Sequence, residues 1–221
     1  MIVKQRTDAQ NPAVHTAAFW DRRAARYDKA VGDGRGFHRD MISRIRQALN
    51  PDDTVAEIAC GTGAVACAIA PYVKAVHAGD IAPGMLEIAG ARAQEQGLCN
   101  IRFSLENACA LSYPDSFFDA VIICAALHLL PDPGEAMAEI RRILKPGGLL
   151  LASSYLAGQS LRSRLGNALM SIGGHRDRQK WHAEAFRRFL NDQGFTLKSC
   201  IYYPVFPVPV QYVSSRKRTT I

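Results

Sequence analysis

The feature that most restricts this chain is an alternation between residues 51 and 154, where short β-prone runs take turns with helical patterns. Residues 54–59, 75–78, 100–106, 118–124 and 149–154 read as strands, and residues 63–72, 83–96 and 134–144 as helices between them. Pro83 suits a first helical turn, because the amide it lacks has no partner there anyway. The run 118–124 is apolar apart from Asp119, the pattern of a strand covered on both faces. Alternation of this kind makes a mostly parallel sheet with helices on both sides. Beyond residue 155 the rhythm changes to two helices, near 160–171 and 182–192, and two strands, near 196–203 and 208–216. The short link from Pro204 to Pro207 predicts that these last strands pair as an antiparallel hairpin. The expectation is an α/β fold: a doubly wound, mostly parallel seven-stranded sheet ending in that hairpin.

Residues 1–50 read as an N-terminal helical cap, with a helix around Phe19 and Trp20 and another after Gly36. In the latter Phe37, Met41, Ile42, Ile45 and Leu49 share one face. Residues 32–36, rich in glycine, read as a hinge between the two. Residues 51–221 form the core domain, carrying a helical insertion at about 156–193. A chain of 221 residues buries enough surface to fold without a disulfide or metal staple. Its six cysteines form no CxxC pair and no zinc-like spacing, so they read as small core residues and no metal is expected. No stretch approaches the ~20 apolar residues of a membrane span, and the start lacks the apolar run of a signal peptide; a cytoplasmic protein is expected.

Chemistry concentrates in Val55-Ala56-Glu57-Ile58-Ala59-Cys60-Gly61-Thr62-Gly63, where the first strand turns into its helix. Glycines there allow close backbone approach, and a helix start offers unpaired amides. Ligands of such sheets bind outside the carboxyl ends of the strands. Asp80 ends the second strand, 23 residues after Glu57, where a carboxylate accepts hydrogen bonds from ribose hydroxyls. Together these features imply a nucleoside cofactor. Gly61-Thr62-Gly63-Ala64-Val65-Ala66 also fits the loose dinucleotide pattern, but the chain has no second glycine loop and no substrate domain.

Three stretches resemble class I S-adenosylmethionine (SAM)-dependent methyltransferases. The segment from Glu57 to Gly63 is similar to their first motif, Phe118-Asp119-Ala120-Val121-Ile122-Ile123-Cys124 to their fourth strand, and Leu144-Lys145-Pro146-Gly147-Gly148-Leu149 to the turn before their fifth. Residues 19–28 resemble the leading helix of many members, and the flavour is that of the ubiquinone and menaquinone biosynthesis enzymes in the methyltransferase type 11 group. The resemblance implies a Rossmann-like fold and SAM as cofactor. It implies that Glu57, Ala59 and Gly61 surround the methionine end, that Gly63 also belongs to the cofactor loop, that Asp80 binds the ribose, and that Ile81 and Met85 pack near the adenine. It places Asn107 and Ala108 at the adenine edge, Cys124 and Ala125 beside the sulfonium, and Tyr27 over the cofactor. Two positions depart from the pattern: Ala59 stands where the first glycine is usual, and Asn107 where an aspartate is. Cys124, Ala125 and Tyr27 also read as structural filling, and residues 145–148 as a plain turn.

Methyl transfer from a sulfonium is in-line displacement, so alignment is the main task and a general base is optional. His128, just past the fourth strand, is the candidate base and reads equally as a packing residue; His175 and His182 are candidate acceptor contacts. The nucleic-acid amino-methylation motif (N/D)PP(Y/F) is replaced by Cys124-Ala125-Ala126-Leu127, so no nucleic-acid partner is expected. A small-molecule or lipid-like acceptor remains. The charge map bears on its type: residues 51–150 hold six Lys/Arg against twelve Asp/Glu, and residues 151–221 hold eleven against three. Residues 1–50 hold ten against five. An acidic cofactor region between basic flanks suits an anionic or amphiphilic acceptor, or peripheral contact with an anionic membrane, and is also the pattern of a solvated face. A non-catalytic SAM-binding module and a compact NAD-dependent oxidoreductase are the competing readings. Asp80→Ala is expected to weaken cofactor binding while the fold survives, because that side chain is expected to point into the cleft.

Overall fold

The computed structural model describes residues 12–31, 36–172 and 178–219. Gly32 to Arg35 of the expected hinge, together with His175 and Arg176, lie outside the described residues. Three helices lead the chain: α1 (Pro12–Asp21), α2 (Ala24–Val31) and α3 (Gly36–Ala48). Next come β1 (Thr54–Ile58), α4 (Ala64–Ile69), β2 (Ala75–Asp80), α5 (Pro83–Glu95), β3 (Ile101–Leu105), β4 (Phe118–Cys124), α6 (Pro133–Ile143) and β5 (Leu144–Tyr155). The chain closes with α7 (Leu161–Ile172), α8 (Ala183–Asp192), β6 (Phe195–Tyr203) and β7 (Val210–Lys217). The seven strands form one sheet in the order β3-β2-β1-β4-β5-β7-β6. The first five are parallel, and β7 runs antiparallel to both β5 and β6. This is the expected doubly wound sheet with its terminal hairpin.

Strand periodicity explains the two-sided core. Successive side chains of β4 point to opposite faces. Ala120 and Ile122 join Met41, Ile45, Val65 and Ile69 from α3 and α4. Val121 and Ile123 join Met137, Ile140, Phe186 and Leu190 from α6 and α8. Each fully buried aliphatic or aromatic side chain of this set stabilises the fold by roughly 1.5–3 kcal/mol. A charge placed at Ile122, which has no exposed surface, would open both β4 pairings and the α3–α4 layer.

Two local expectations change. The helix expected over 63–72 is α4 followed by a separate 3-10 turn, Ala70–Tyr72, because Pro71 cannot supply the amide that a continuing α-helix needs. Residues 145–148 are not a free turn but an irregular start of β5. Leu144 pairs with Phe118, and pairing resumes with Leu149 opposite Ala120, so the extra residues bulge outward. Gly147 has φ 70, and a Cβ on Gly148 would meet the Lys145 carbonyl oxygen at 2.8 Å. Lys145 Nζ then clips the bulge to Asp119 at 2.6 Å.

The arrangement puts the end of β1, the end of β2, the end of β4 and the β6–β7 link at one edge of the sheet. Helices α1 and α2 pack on α5 at that edge. Asp21 Oδ1 accepts the Gly84 amide at 2.8 Å, so the end of α1 holds the first turn of α5.

Candidate cofactor and acceptor site

The loop after β1 is held by backbone geometry. Ala59, Gly61 and Gly63 all have positive φ, at 56°, 53° and 75°. The Cys60 amide donates to the Gly79 carbonyl, and the Gly63 amide folds back to the Cys60 carbonyl, both at 3.0 Å. A Cβ on Gly63 would lie 2.8 Å from Ala89 Cβ, so only glycine lets α5 pack against this turn. Ala59 takes the left-handed conformation without being glycine, which costs about 1–2 kcal/mol.

Two buried acids line the loop. Glu57, on β1, is 3% exposed, and its Oε2 has no hydrogen-bond partner among the described residues. Burial pushes its carboxyl up to about 8; the Ala66 amide opposes the shift and Asp80 adds to it. Asp80 is 7% exposed. Its Oδ2 accepts the Gly61 amide at 2.8 Å and its Oδ1 the Ala82 amide at 3.0 Å. Burial raises the Asp80 pKa, and the amides of Ala82, Gly61 and Ile81 pull it back. The side chain is therefore turned onto the loop as well as lying at its edge. Asp80→Ala would therefore also orphan two amides, a cost in stability beyond the expected loss of cofactor affinity. Each carboxylate oxygen keeps a lone pair for a further donor.

Helix α2 covers the loop. The Tyr27 ring lies 3.7 Å from where a Cβ on Gly61 would sit. Burial raises the Tyr27 phenol, and the neighbouring Tyr155, Asp80, Asp28 and Glu57 add to the effect. The next residue forms a latch that sequence reasoning missed. Asp28 Oδ1 accepts from Thr62 Oγ1 and its Oδ2 pairs with Arg92, both at 2.5 Å. Arg92 also donates to the Thr62 carbonyl at 3.0 Å. One carboxylate thus ties α2, the glycine loop and α5 together. No pattern reveals partners 34 and 64 residues apart.

The other expected residues spread around this centre. Ile81 is half-buried beside Asp80. Met85 is buried with Ala24 and Ala82, against Trp20 and Tyr27, so it seats the leading helices. Asn107 Oδ1 accepts the Cys109 amide at 3.0 Å, closing its own turn. Ala108 belongs to the core beneath. Cys124 ends β4, with its thiol pushed up to about 12 by burial and by Glu57, and a Ser153 hydrogen bond in opposition. Ala125 has φ 53, and its amide donates to the Ser153 carbonyl at 3.0 Å. His128 is fully buried, with Nδ1 3.3 Å from Ser154 Oγ and its ring edge-on to Tyr155. Its carbonyl accepts the amides of Arg178 and Gln179, fastening the insertion to the end of β4. His182 caps α8 by accepting the Ala185 amide at 3.3 Å. The structure therefore gathers Tyr27, Glu57, Ala59, Gly61, Gly63 and Asp80 at one loop, and sets His128 behind Tyr155 and Ser154.

This cradle suits a cationic nucleoside better than a dinucleotide. An orphaned buried carboxylate wants a cation, and the acids Glu57, Asp80 and Asp28 crowd the place where a pyrophosphate would need positive partners.

Comparison with known proteins agrees. A methyltransferase domain family matches residues 56–152. An uncharacterized methyltransferase, YcgJ of Bacillus subtilis, is 36% identical over 103 residues, 47% of this chain and 41% of that protein. A ubiquinone/menaquinone biosynthesis C-methyltransferase, UbiE of Zymomonas mobilis, is 28% identical over 207 residues, covering 86% of this chain and 84% of its own length. The chain spans about half the length of other curated relatives it matches, such as 54% and 46% of two demethylmenaquinone methyltransferases. Among solved structures, the N-methyltransferase NodS of Bradyrhizobium japonicum in complex with S-adenosyl-L-homocysteine shares the fold, with a TM-score of 0.72 at 19% identity over 92% of this chain and 99% of that one.

Proposed function

We propose, from the premise that this chain carries the methyltransferase domain of the class I SAM-dependent family, that it transfers a methyl group from SAM to an amphiphilic, quinone-like small molecule. The observation that carries the cofactor half is the partnerless buried Oε2 of Glu57 beside the glycine loop. That oxygen would take the ammonium of the methionine end. Asp80 would accept a ribose hydroxyl on its remaining lone pairs, while its amide bonds hold Gly61 and Ala82 in place. Tyr27 and Ile81 would cover the nucleoside, with Met85 fixing Tyr27 from behind. Asn107 would offer its free amide hydrogens to the adenine edge, and Ala108 would floor it. The bound cofactor supplies an electrophilic methyl on a sulfonium that is its own leaving group. The chain's work is then alignment and exclusion of water, with Cys124 and Ala125 bordering the reacting end.

The acceptor half is supported by the likeness to demethylmenaquinone and ubiquinone/menaquinone biosynthesis methyltransferases and by the basic charge of residues 151–221. His128 is the proposed base; it is fully buried, edge-on to Tyr155 and within hydrogen-bond reach of Ser154. Turnover of methyl-labelled SAM with a prenylated hydroxylated ring as acceptor tests this reading. Label in the ring supports it; label in another metabolite of a cell extract moves the acceptor class, and SAM binding with no transfer to any extract makes the chain a binding module. His128→Asn should slow that turnover far more than it weakens SAM binding, and unchanged turnover would leave alignment alone.

A further inference from the structure

The first turns of helix α7 present two leucines outward. Its start is fixed by a reciprocal cap: the Ser160 amide donates to Ser163 Oγ at 2.8 Å, and the Ser163 amide to Ser160 Oγ at 3.1 Å. Ser163 is buried and its hydroxyl also reaches the Ala157 carbonyl, so this residue marks the inward face. At 100° per residue, positions two before and two after it point away from the body. Those positions are Leu161, 76% exposed, and Leu165, 68% exposed. Arg162 and Arg164 flank them and are exposed.

The patch continues onto the link between β6 and β7. Phe206 is 63% exposed, with the Arg162 guanidinium 5.4 Å from its ring, and Tyr202 is exposed beside it. Ser160, Arg162, Tyr202 and Phe206 line a shallow cleft of about 180 Å³ between helix and hairpin. Of the seven large apolar side chains exposed among the described residues, four belong to this one patch. It lies at the sheet edge that carries the glycine loop, in the segment with eleven basic and three acidic residues.

We infer that Leu161, Leu165 and Phe206, with Arg162 and Arg164, form a docking surface for an anionic lipid bilayer. The inference deepens, and rests on, the reading of an amphiphilic acceptor. Outward leucines and an aromatic enter the acyl boundary while the flanking guanidiniums stay among the phosphates, the layout of an interfacial helix. Charge complementarity favours a bilayer surface rich in acidic headgroups, because both arginines stand beside the leucines they would accompany.

Vesicle co-sedimentation of the full chain tests it, with phosphatidylglycerol vesicles against phosphatidylcholine vesicles at low and high salt. Binding is expected to phosphatidylglycerol only, to weaken with salt, and to fall roughly fivefold for each arginine in Arg162→Ala and Arg164→Ala. The double variant Leu161→Ser/Leu165→Ser should lose binding at least tenfold with SAM affinity unchanged. Equal, negligible binding to both vesicles at low salt overturns the inference, as does binding that survives both sets of substitutions. Capture of an acidic protein in place of vesicles would also overturn it. SAM affinity is read separately in every sample: its absence in the unsubstituted chain counts against the transferase reading, while vesicle binding is scored on its own.

Discussion

The glycine loop and the α7–hairpin patch share one edge of the sheet and are built by opposite means. The loop is fixed by backbone: three positive φ values, amides turned onto Asp80, and a glycine pressed on Ala89. Its acids Glu57 and Asp80 are buried. The patch is fixed by one small cap, and its chemistry lies in exposed leucines, a phenylalanine and arginines. Backbone geometry tolerates few residue types in the loop, which lies within residues 56–152, the span the methyltransferase family matches; the patch lies outside that span.

The comparison makes the loop brittle and the patch tolerant. Gly63→Val should have the largest effect. The new side chain meets Ala89 and adopts a strained φ, which together should cost about 2–5 kcal/mol, read as a fall in urea midpoint and loss of SAM binding. Leu165→Ser, an exposed change on the patch, should move the same midpoint by less than about 0.5 kcal/mol. Similar losses at the two positions would break the contrast.

Asp80→Ala comes next. It orphans the Gly61 and Ala82 amides, so it should lower stability by about 1–3 kcal/mol, and SAM affinity by on the order of 1.5–3 kcal/mol more, separable by chemical denaturation and calorimetry. Asp28→Ala should follow at about 1–2 kcal/mol. It frees α2 from Thr62 and Arg92 at a pair that is only partly exposed, and faster proteolysis around α2 should report the release. Ala59→Gly should be the smallest and of opposite sign: relief of the left-handed strain, less the added freedom of the unfolded glycine, leaves a gain of about 1 kcal/mol or less.

The same contrast explains what the sequence revealed. Alternating apolar runs, Pro83 and the glycine spacing locate five parallel strands and the loop, because each is a local requirement. The latch of Asp28, Thr62 and Arg92 is invisible there, since nothing local marks residues that meet only after the sheet has wound. The bulge at 145–148 looks like a turn because Pro146, Gly147 and Gly148 serve either; only the register against Phe118 and Ala120 decides. His128 reads from sequence equally as a base or a packing residue, and the structure buries it together with Leu127. Asn107 spends its carbonyl oxygen on its own turn, a habit that asparagine shares with aspartate.

The central claim is that the buried Glu57 receives a cation at the glycine loop. Because burial holds its carboxyl near 8, the neutral form stabilises the free protein; that contribution is full below about 4.5, declines as pH rises, and is gone above 8. A cationic ammonium asks for the ionised form. Titration calorimetry of SAM, its demethylated product and NAD from pH 6 to above 8 measures both statements. The account predicts that the first two bind and NAD does not. Affinity should rise by up to tenfold per pH unit toward 8 with proton release to the buffer, and fall above it as the ligand's own amine, with a pKa near ~8, loses its charge. Glu57→Gln should flatten that profile. Tight NAD binding without SAM, or a SAM affinity indifferent to both pH and Glu57→Gln, would contradict the account.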